Sequence, residues 1–213
     1  MKIIHHQRQI YPDSVREQEL LVATVLAGQA PSTLILTEHP PTFTIGTSGS
    51  EADILHRVVG GENIAVYPTG RGGEVTYHGP GQLVCYVVAD LRQLPDLHRH
   101  VWRLEEMVMR TLADLNIDAV RDARGIGVWV GGLKIAAAGV RCRKWITFHG
   151  IALNNNPDLS HFSGIVPCGM HDQPVTSIKQ LGVNITRDEL EELLIHHCNQ
   201  LFDPLLVPPL SML

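Results

Sequence analysis

The twelve residues Arg71-Gly72-Gly73-Glu74-Val75-Thr76-Tyr77-His78-Gly79-Pro80-Gly81-Gln82 run directly into a nearly continuous apolar segment, Gln82 to Val88. This junction constrains the fold more than any other stretch. An apolar run of that length suits a strand buried on both faces, which needs a layer of structure on either side of it. Glycines at Gly72, Gly73, Gly79 and Gly81 remove Cβ atoms at both ends of the β-prone Val75-Thr76-Tyr77. They allow unusual dihedrals and close approach of backbone to a ligand. The stretch reads as loop, strand, loop, with Arg71 and His78 at its ends. Glycine punctuation fits a plain hairpin with incidental polar residues as well.

The rest of the chain supplies elements of both kinds. Ile3-Ile4 reads as a strand, and Ser14-Val15-Arg16-Glu17 is a capping-box pattern that heads a helix with Leu20, Leu21, Val25 and Leu26 inward and Gly28 at its end. Ser32 to Thr37 is β-prone and stops at Pro40-Pro41; Thr42 to Gly46 and Ile64 to Tyr67 are further short strands. His100 to Leu115 carries Val101, Leu104, Val108, Leu112 and Leu115 at helical spacing and is expected to pack on the sheet. Gly127 to Val130 and Leu133 to Val140 flank Gly131-Gly132, a strong hairpin signal, which places Lys134 just after the turn. Trp145 to Leu153 is another strand. Thr186 and Glu189 form a second capping box, opening a helix that runs to about Phe202.

At 213 residues, 44% hydrophobic and 18% charged, the chain is expected to form one globular domain, residues 1 to 213, and no apolar run reaches membrane-spanning length. The N-terminus lacks the pattern of a signal peptide, so a soluble, cytoplasmic protein is expected. A net charge of −5 argues against a general nucleic-acid binder, and without a long apolar run no membrane partner is expected. Arg141-Cys142-Arg143-Lys144 and Arg121 with Arg124 are local basic clusters that suit either plain solvation or an acidic protein partner. The four cysteines, Cys85, Cys142, Cys168 and Cys198, include no C-x-x-C pair, so neither zinc nor a disulfide framework is indicated.

Two side chains carry candidate chemistry. Cys168, in Val166-Pro167-Cys168-Gly169, is displayed on an irregular loop, whereas Cys85 and Cys198 lie in a strand and a helix as structural cysteines do, and Cys142 is expected at the surface. Lys134 is surrounded by Leu133, Ile135, Ala136, Ala137 and Ala138, an odd setting for an ammonium unless it faces a cleft or snorkels to water.

Four ordered strings closely resemble the bacterial lipoyl(octanoyl) transferases: Arg71 to Gln82, Gly132 to Gly139, His149-Gly150-Ile151-Ala152-Leu153-Asn154, and Ile165 to Gly169. The resemblance implies the biotin/lipoate protein ligase catalytic fold, α/β of the α+β type, with a mainly antiparallel sheet flanked by helices. It implies octanoyl transfer from acyl carrier protein to a lysine of a lipoyl domain, the first step of endogenous protein lipoylation. The acceptors would be lipoyl domains of 2-oxoacid dehydrogenase complexes and the glycine cleavage H protein. Carried over by resemblance, Cys168 is the acyl-bearing nucleophile and Lys134 its activating partner. The substrate walls are Arg71, Gly72, Gly73, Glu74, Val75, Thr76, Tyr77 and His78, then Ala137, Ala138 and Gly139, then Gly150, Ile151 and Ala152. His149 is a possible supporting residue, and His149 and His78 are rival proton relays. No cofactor and no metal are implied. An ATP-dependent lipoate or biotin ligase on the same fold, an amidotransferase, and a binding module with an inert Cys168 are the competing readings.

Overall fold

The computed structural model of the chain describes residues 1–166 and 174–202. Strand β1 (Lys2–His5) leads to helix α1 (Tyr11–Leu26), then β2 (Thr33–Thr37) and β3 (Thr42–Ile45). The short pair β4 (Val58–Val59) and β5 (Glu62–Asn63) precedes β6 (Ala65–Pro68), β7 (Val75–His78) and the long β8 (Gln82–Asp90). Helix α2 (Leu97–Asp114) is followed by β9 (Val120–Asp122), β10 (Gly125–Val130), β11 (Leu133–Arg143), β12 (Ile146–Asn154) and helix α3 (Arg187–Phe202).

A seven-stranded sheet in the order β1-β2-β8-β12-β11-β10-β9 forms the body, antiparallel throughout except for β1 against β2. The first eight residues of β8 are all buried, as the apolar run requires. Its side chains alternate between two cores. Leu83, Cys85 and Val87 join Ile151 and Leu153 of β12 under α2 and α3, while Val84, Tyr86 and Val88 belong with Ile146, Phe148 and Ala152 toward α1. A three-stranded sheet, β6-β3-β7, holds the glycine-rich stretch beside this body. Among the described residues no helix is long and apolar enough to cross a membrane.

Two helix starts invite comparison. At α3 the capping box forms: the Thr186 amide donates to Glu189 Oε2 at 2.9 Å and the Glu189 amide to Thr186 Oγ1 at 3.3 Å. At α1 it does not. That helix begins at Tyr11, where Pro12 fits the first turn, and Ser14 lies inside it, buried, its hydroxyl donating to Gln9 Oε1. The inward face is Tyr11, Ser14, Gln18, Val22 and Val25, and Leu20 is 65% exposed. Polar Ser14 and Gln18 occupy core-facing positions, which shifts the apparent phase of the apolar pattern. Gly28, at φ 70°, terminates the helix as expected.

Candidate active site

The floor of the site is a patch of small residues on neighbouring strands. Ala137 of β11 lies opposite Ala152 of β12, which lies opposite Val84 of β8; one step along, Gly139, Gly150 and Tyr86 form the same row. Residues directly opposite share a face, so small side chains meet small ones and a trough opens. The glycine-rich loop crosses it. The Gly72 amide donates to the Val140 carbonyl at 2.9 Å, and a Cβ on Gly139 would stand 2.8 Å from the Gly72 carbonyl oxygen. Arg71 fastens this roof from within. Its guanidinium donates to the Thr44 carbonyl and hydroxyl, both at 2.8 Å, and to the carbonyls of Glu74 at 2.9 Å and Gly72 at 3.0 Å.

A cavity of about 710 Å³ results. It is lined by Arg71 to Thr76, His78, Lys134, Ala137 to Gly139, His149 and Gly150 to Ala152, so the motifs named from sequence converge on one space. Tyr77 is the exception. Alternation along β7 turns it into the core beside Phe43, where its hydroxyl pairs with His161 Nδ1 at 2.7 Å. Cys168 lies outside the described residues, but both flanks of its segment are fixed: the Val166 amide donates to the Asp53 carbonyl at 2.8 Å, and Val175 bridges Lys134. The Lys134 amide donates to the Pro174 carbonyl and the Thr176 amide to the Lys134 carbonyl, each at 3.0 Å.

At that end of the cavity Lys134 is 7% exposed, with Nζ 4.7 Å from the centroid of the Trp129 ring. The ring face favours a cation there. Arg124 sits over the same ring at 4.3 Å and pairs with Asp122 at 2.7 Å, holding that carboxyl down to about 2. Arg121 pairs with Glu105 and Glu106 at 2.9 and 3.0 Å. This second basic cluster is therefore balanced by carboxylates.

His78 is a wall residue. Its Nδ1 lies 2.7 Å from Gln82 Oε1 and its Nε2 3.3 Å from the Thr44 hydroxyl, and Gln82 continues to Asn154 Oδ1 at 2.9 Å. Burial, then the neighbouring His39 and Arg71, hold its pKa well below the usual histidine value, so the ring is neutral.

His149 is unusual. Alternation along β12 would put it with Ile151 under α2, yet its φ of 61° swings the ring to the α1 side, where it stacks on Phe148 at 5.0 Å and meets Tyr86 at 6.2 Å. Its amide donates to Gln18 Oε1 at 2.7 Å, and Gln18 Nε2 donates to the Ser14 carbonyl, so α1 holds the distortion in place. The next residue must be glycine, because a Cβ on Gly150 would lie 2.0 Å from the Cys85 carbonyl oxygen. Burial, helped by Arg71 and Arg141, pushes the His149 pKa down to about 3, and its Nδ1 has no hydrogen-bond partner among the described residues.

The three described cysteines are poor nucleophiles. Burial raises Cys85 well above its ordinary value and pushes Cys198 up to about 12; Cys142, half-buried and paired with Thr147 rather than at the surface, is raised as well. Sequence reasoning missed Thr44, Gln18, Tyr86 and Trp129. Gln18 alone left a signal, a polar residue at the helical spacing of Tyr11, Val22 and Val25.

Residues 11–199 match the family described as "Lipoyl protein ligase A/B catalytic domain". The chain belongs to that family. It is 46% identical over 202 residues to the octanoyltransferase of Magnetococcus marinus, covering 94% of this chain and 93% of that one. It is 48% identical to that of Paramagnetospirillum magneticum, over 85% and 86% of the two. Among solved structures, P. falciparum LipL1 in complex with lipoate superposes with a TM-score of 0.76 at 14% identity, over 94% of this chain and 62% of that one. A bipartite lipoate protein ligase studied with its E2 lipoyl domain from Thermoplasma acidophilum gives 0.67 at 18%, over 94% and 82%. The lipoyl protein ligase A/B fold is thus the α/β arrangement of a mainly antiparallel sheet flanked by helices that the sequence resemblance implied.

Proposed function

We propose that the chain moves an octanoyl group from acyl carrier protein to a lysine of a lipoyl domain, through a thioester on Cys168. The observation that carries this reading is the trough of Ala137, Ala152, Gly139 and Gly150, which has Lys134 at one end. The backbone of Lys134 bonds that of Pro174 and Thr176, downstream of Cys168 in the chain. Octanoyltransferase relatives at 42–48% identity support the same activity.

In the first half-reaction the Cys168 thiolate attacks the octanoyl carbonyl, and the carrier leaves as its own thiolate. A free thiol with a pKa near 8.5 is about a tenth ionised slightly above neutrality, so a cation beside Cys168 gains at most about tenfold in thiolate. In the second, the acceptor amine attacks the thioester, the C–S bond breaks, an amide forms and Cys168 thiolate is regenerated. Lys134 gives its proton to the departing carrier thiolate in the first step and, then neutral, takes the proton that the acceptor nitrogen loses in the second. His78 is unsuited to that relay because both its ring nitrogens are already engaged. The acyl tail lies along Ala136 to Gly139, where six buried methylenes contribute at most about 5 kcal/mol.

The test is intact-protein mass after mixing the chain with octanoyl-acyl carrier protein without ATP, followed by addition of a lipoyl domain. The reading expects a gain of one octanoyl group, absent in Cys168→Ala and discharged to the lipoyl domain. Modification that requires free octanoate and ATP would replace it with the ligase reading.

A further inference from the structure

Trp129 and Lys134 are direct partners across the β10–β11 hairpin, so their side chains share a face, beside a shift of register between Val128 and Trp129. The indole is fully buried, and its surroundings are fixed. Its Nε1 donates to the Gly125 carbonyl at 3.3 Å, the Gly127 amide donates to Glu105 Oε1 at 2.8 Å, and Arg121 donates to the other oxygen of Glu105 at 2.9 Å. Against this rigid ring Lys134 Nζ stands 4.7 Å from the centroid.

The other cation on the ring has a constant charge. Arg124, 4.3 Å from the same ring, donates to both oxygens of Asp122 at 2.9 and 2.7 Å and to the Gly132 carbonyl at 3.1 Å. A guanidinium keeps its proton throughout. Lys134 is different, because transfer switches its charge. It is an ammonium until it gives a proton to the departing carrier thiolate, and an amine while Cys168 carries the acyl group. It is an ammonium again once it has taken the proton of the acceptor nitrogen. An aromatic face attracts an ammonium and has no such hold on an amine. The ring therefore opposes the first proton transfer and assists the second. It holds Nζ back while charged and frees it when the amine has to reach the acceptor.

We propose that Trp129 is a positioning residue that tethers Lys134 by its charge, releasing the side chain when Cys168 is loaded and recovering it when the acyl group has left. The two steps rest on the acyl-transfer reading; the tether rests on the ammonium beside the indole.

The test weakens the electrostatics of the ring while keeping its shape. Tryptophan bearing one, two or three fluorines is incorporated throughout the chain, each fluorine draining the negative face. Single-turnover rates should diverge along the series. Loading of Cys168 from octanoyl-acyl carrier protein should quicken and discharge to a lipoyl domain should slow, each by about three- to tenfold with three fluorines. The same series in Trp129→Phe, where the fluorines sit on Trp102 and Trp145, should show no trend. Carbamylation by cyanate, a small reagent that only a neutral amine attacks, reads the tether without acyl transfer. Lys134 should react faster with each fluorine while exposed Lys2, Lys144 and Lys179 stay constant. Rates that fall together, or do not move, overturn the part of the tether in the reaction, and flat carbamylation of Lys134 overturns the tether itself. Graded carbamylation in a chain that never forms the octanoyl adduct keeps the tether and brings down the acyl-transfer reading.

Discussion

The two ends of β11 meet the same backbone demand with opposite residues. At its start Gly131 and Gly132 turn the β10–β11 hairpin with φ of 56° and 82°, values that glycine adopts at no steric cost. At its end Lys144 and Trp145 turn the β11–β12 hairpin with φ of 51° and 63°, and four residues on His149 repeats the conformation at 61°. Each of these non-glycine residues costs about 1 kcal/mol or more. The glycine end presents Lys134 on relaxed backbone. The other end stores strain, and neighbours hold it: the Leu91 amide donates to the Trp145 carbonyl at 2.8 Å and Gln18 receives the His149 amide. Lys134 lines the cavity from the relaxed end, and His149 lines it from the strained one.

The largest expected effect breaks the relaxed end. Lys134→Ala should lower the transfer rate about 10²- to 10⁴-fold, with the melting temperature little changed, since the lysine heads a strand whose ladder is backbone-held. Lys134→Arg sharpens the point. A guanidinium can keep the cation over Trp129 but cannot accept a proton at working pH, so a loss as large as that of alanine is expected. Single-turnover rates for loading Cys168 and for aminolysis would locate the larger part of the loss in the second step; retention of that step by the arginine variant would remove Lys134 from proton transfer.

The next effect compares a glycine inside β12, Gly150, with one in the relaxed turn, Gly131. Gly150→Ala drives a methyl into the Cys85 carbonyl, so β12 must separate from β8, and a loss of about 3 kcal/mol or more in unfolding free energy is expected. Gly131→Ala meets nothing within 4 Å and pays for its positive φ alone, about 1 kcal/mol. Urea titrations of both variants separate collision from conformational cost. Equal losses would mean that the β8–β12 contact is looser than the geometry requires.

Acidification acts on the histidines around the strained end. His39, at about 4, and His149, at about 3, are lowered chiefly by burial, and His78 lies well below its usual value. Their unfolded counterparts bind protons near pH 6.5 while the folded rings stay neutral, so the unfolded state holds more protons below that pH. Stability is therefore fully present above about pH 6.5 and falls as pH drops toward 4, by about 1.4 kcal/mol per pH unit for each such histidine. Unfolding midpoints at pH 7.5, 6.5 and 5.5 give the slope, and His39→Asn should flatten it if this account of the buried ring holds.

What was legible in the sequence follows the same division. Gly131-Gly132, the run Gln82 to Val88 and the Thr186–Glu189 box each announce local geometry through residue type, and each formed as read. The convergence of the 71–78, 134–139 and 149–152 segments on one cavity rested on motif resemblance, because pairing partners such as Gly139 with Gly150 are set by register across the sheet. The start of α1 was misread because Ser14 and Glu17 find other partners, Gln9 and His6. The inward turn of Tyr77 follows from strand alternation, which the motif resemblance overrode. The positive φ at His149 had no sequence signature at all, since the force that maintains it comes from Gln18, distant in the chain.

The smallest effect tests whether the strain at the Lys144-Trp145 turn is stored at all. Asn-Gly is the pair that a hairpin with two left-handed residues prefers. Lys144→Asn together with Trp145→Gly should therefore stabilise the fold by about 1 kcal/mol, a rise of about 2–4 °C in melting temperature for a chain of this length. Trp145 is 45% exposed, so its removal gives up little buried area to offset the gain. The same pair placed at Gly131-Gly132 should leave the melting temperature nearly unchanged, because that turn is already relaxed. If the substitution at 144–145 lowered stability instead, the indole would be contributing more through packing than the left-handed backbone costs, and the contrast between the two ends of β11 would lie in side chains rather than in strain.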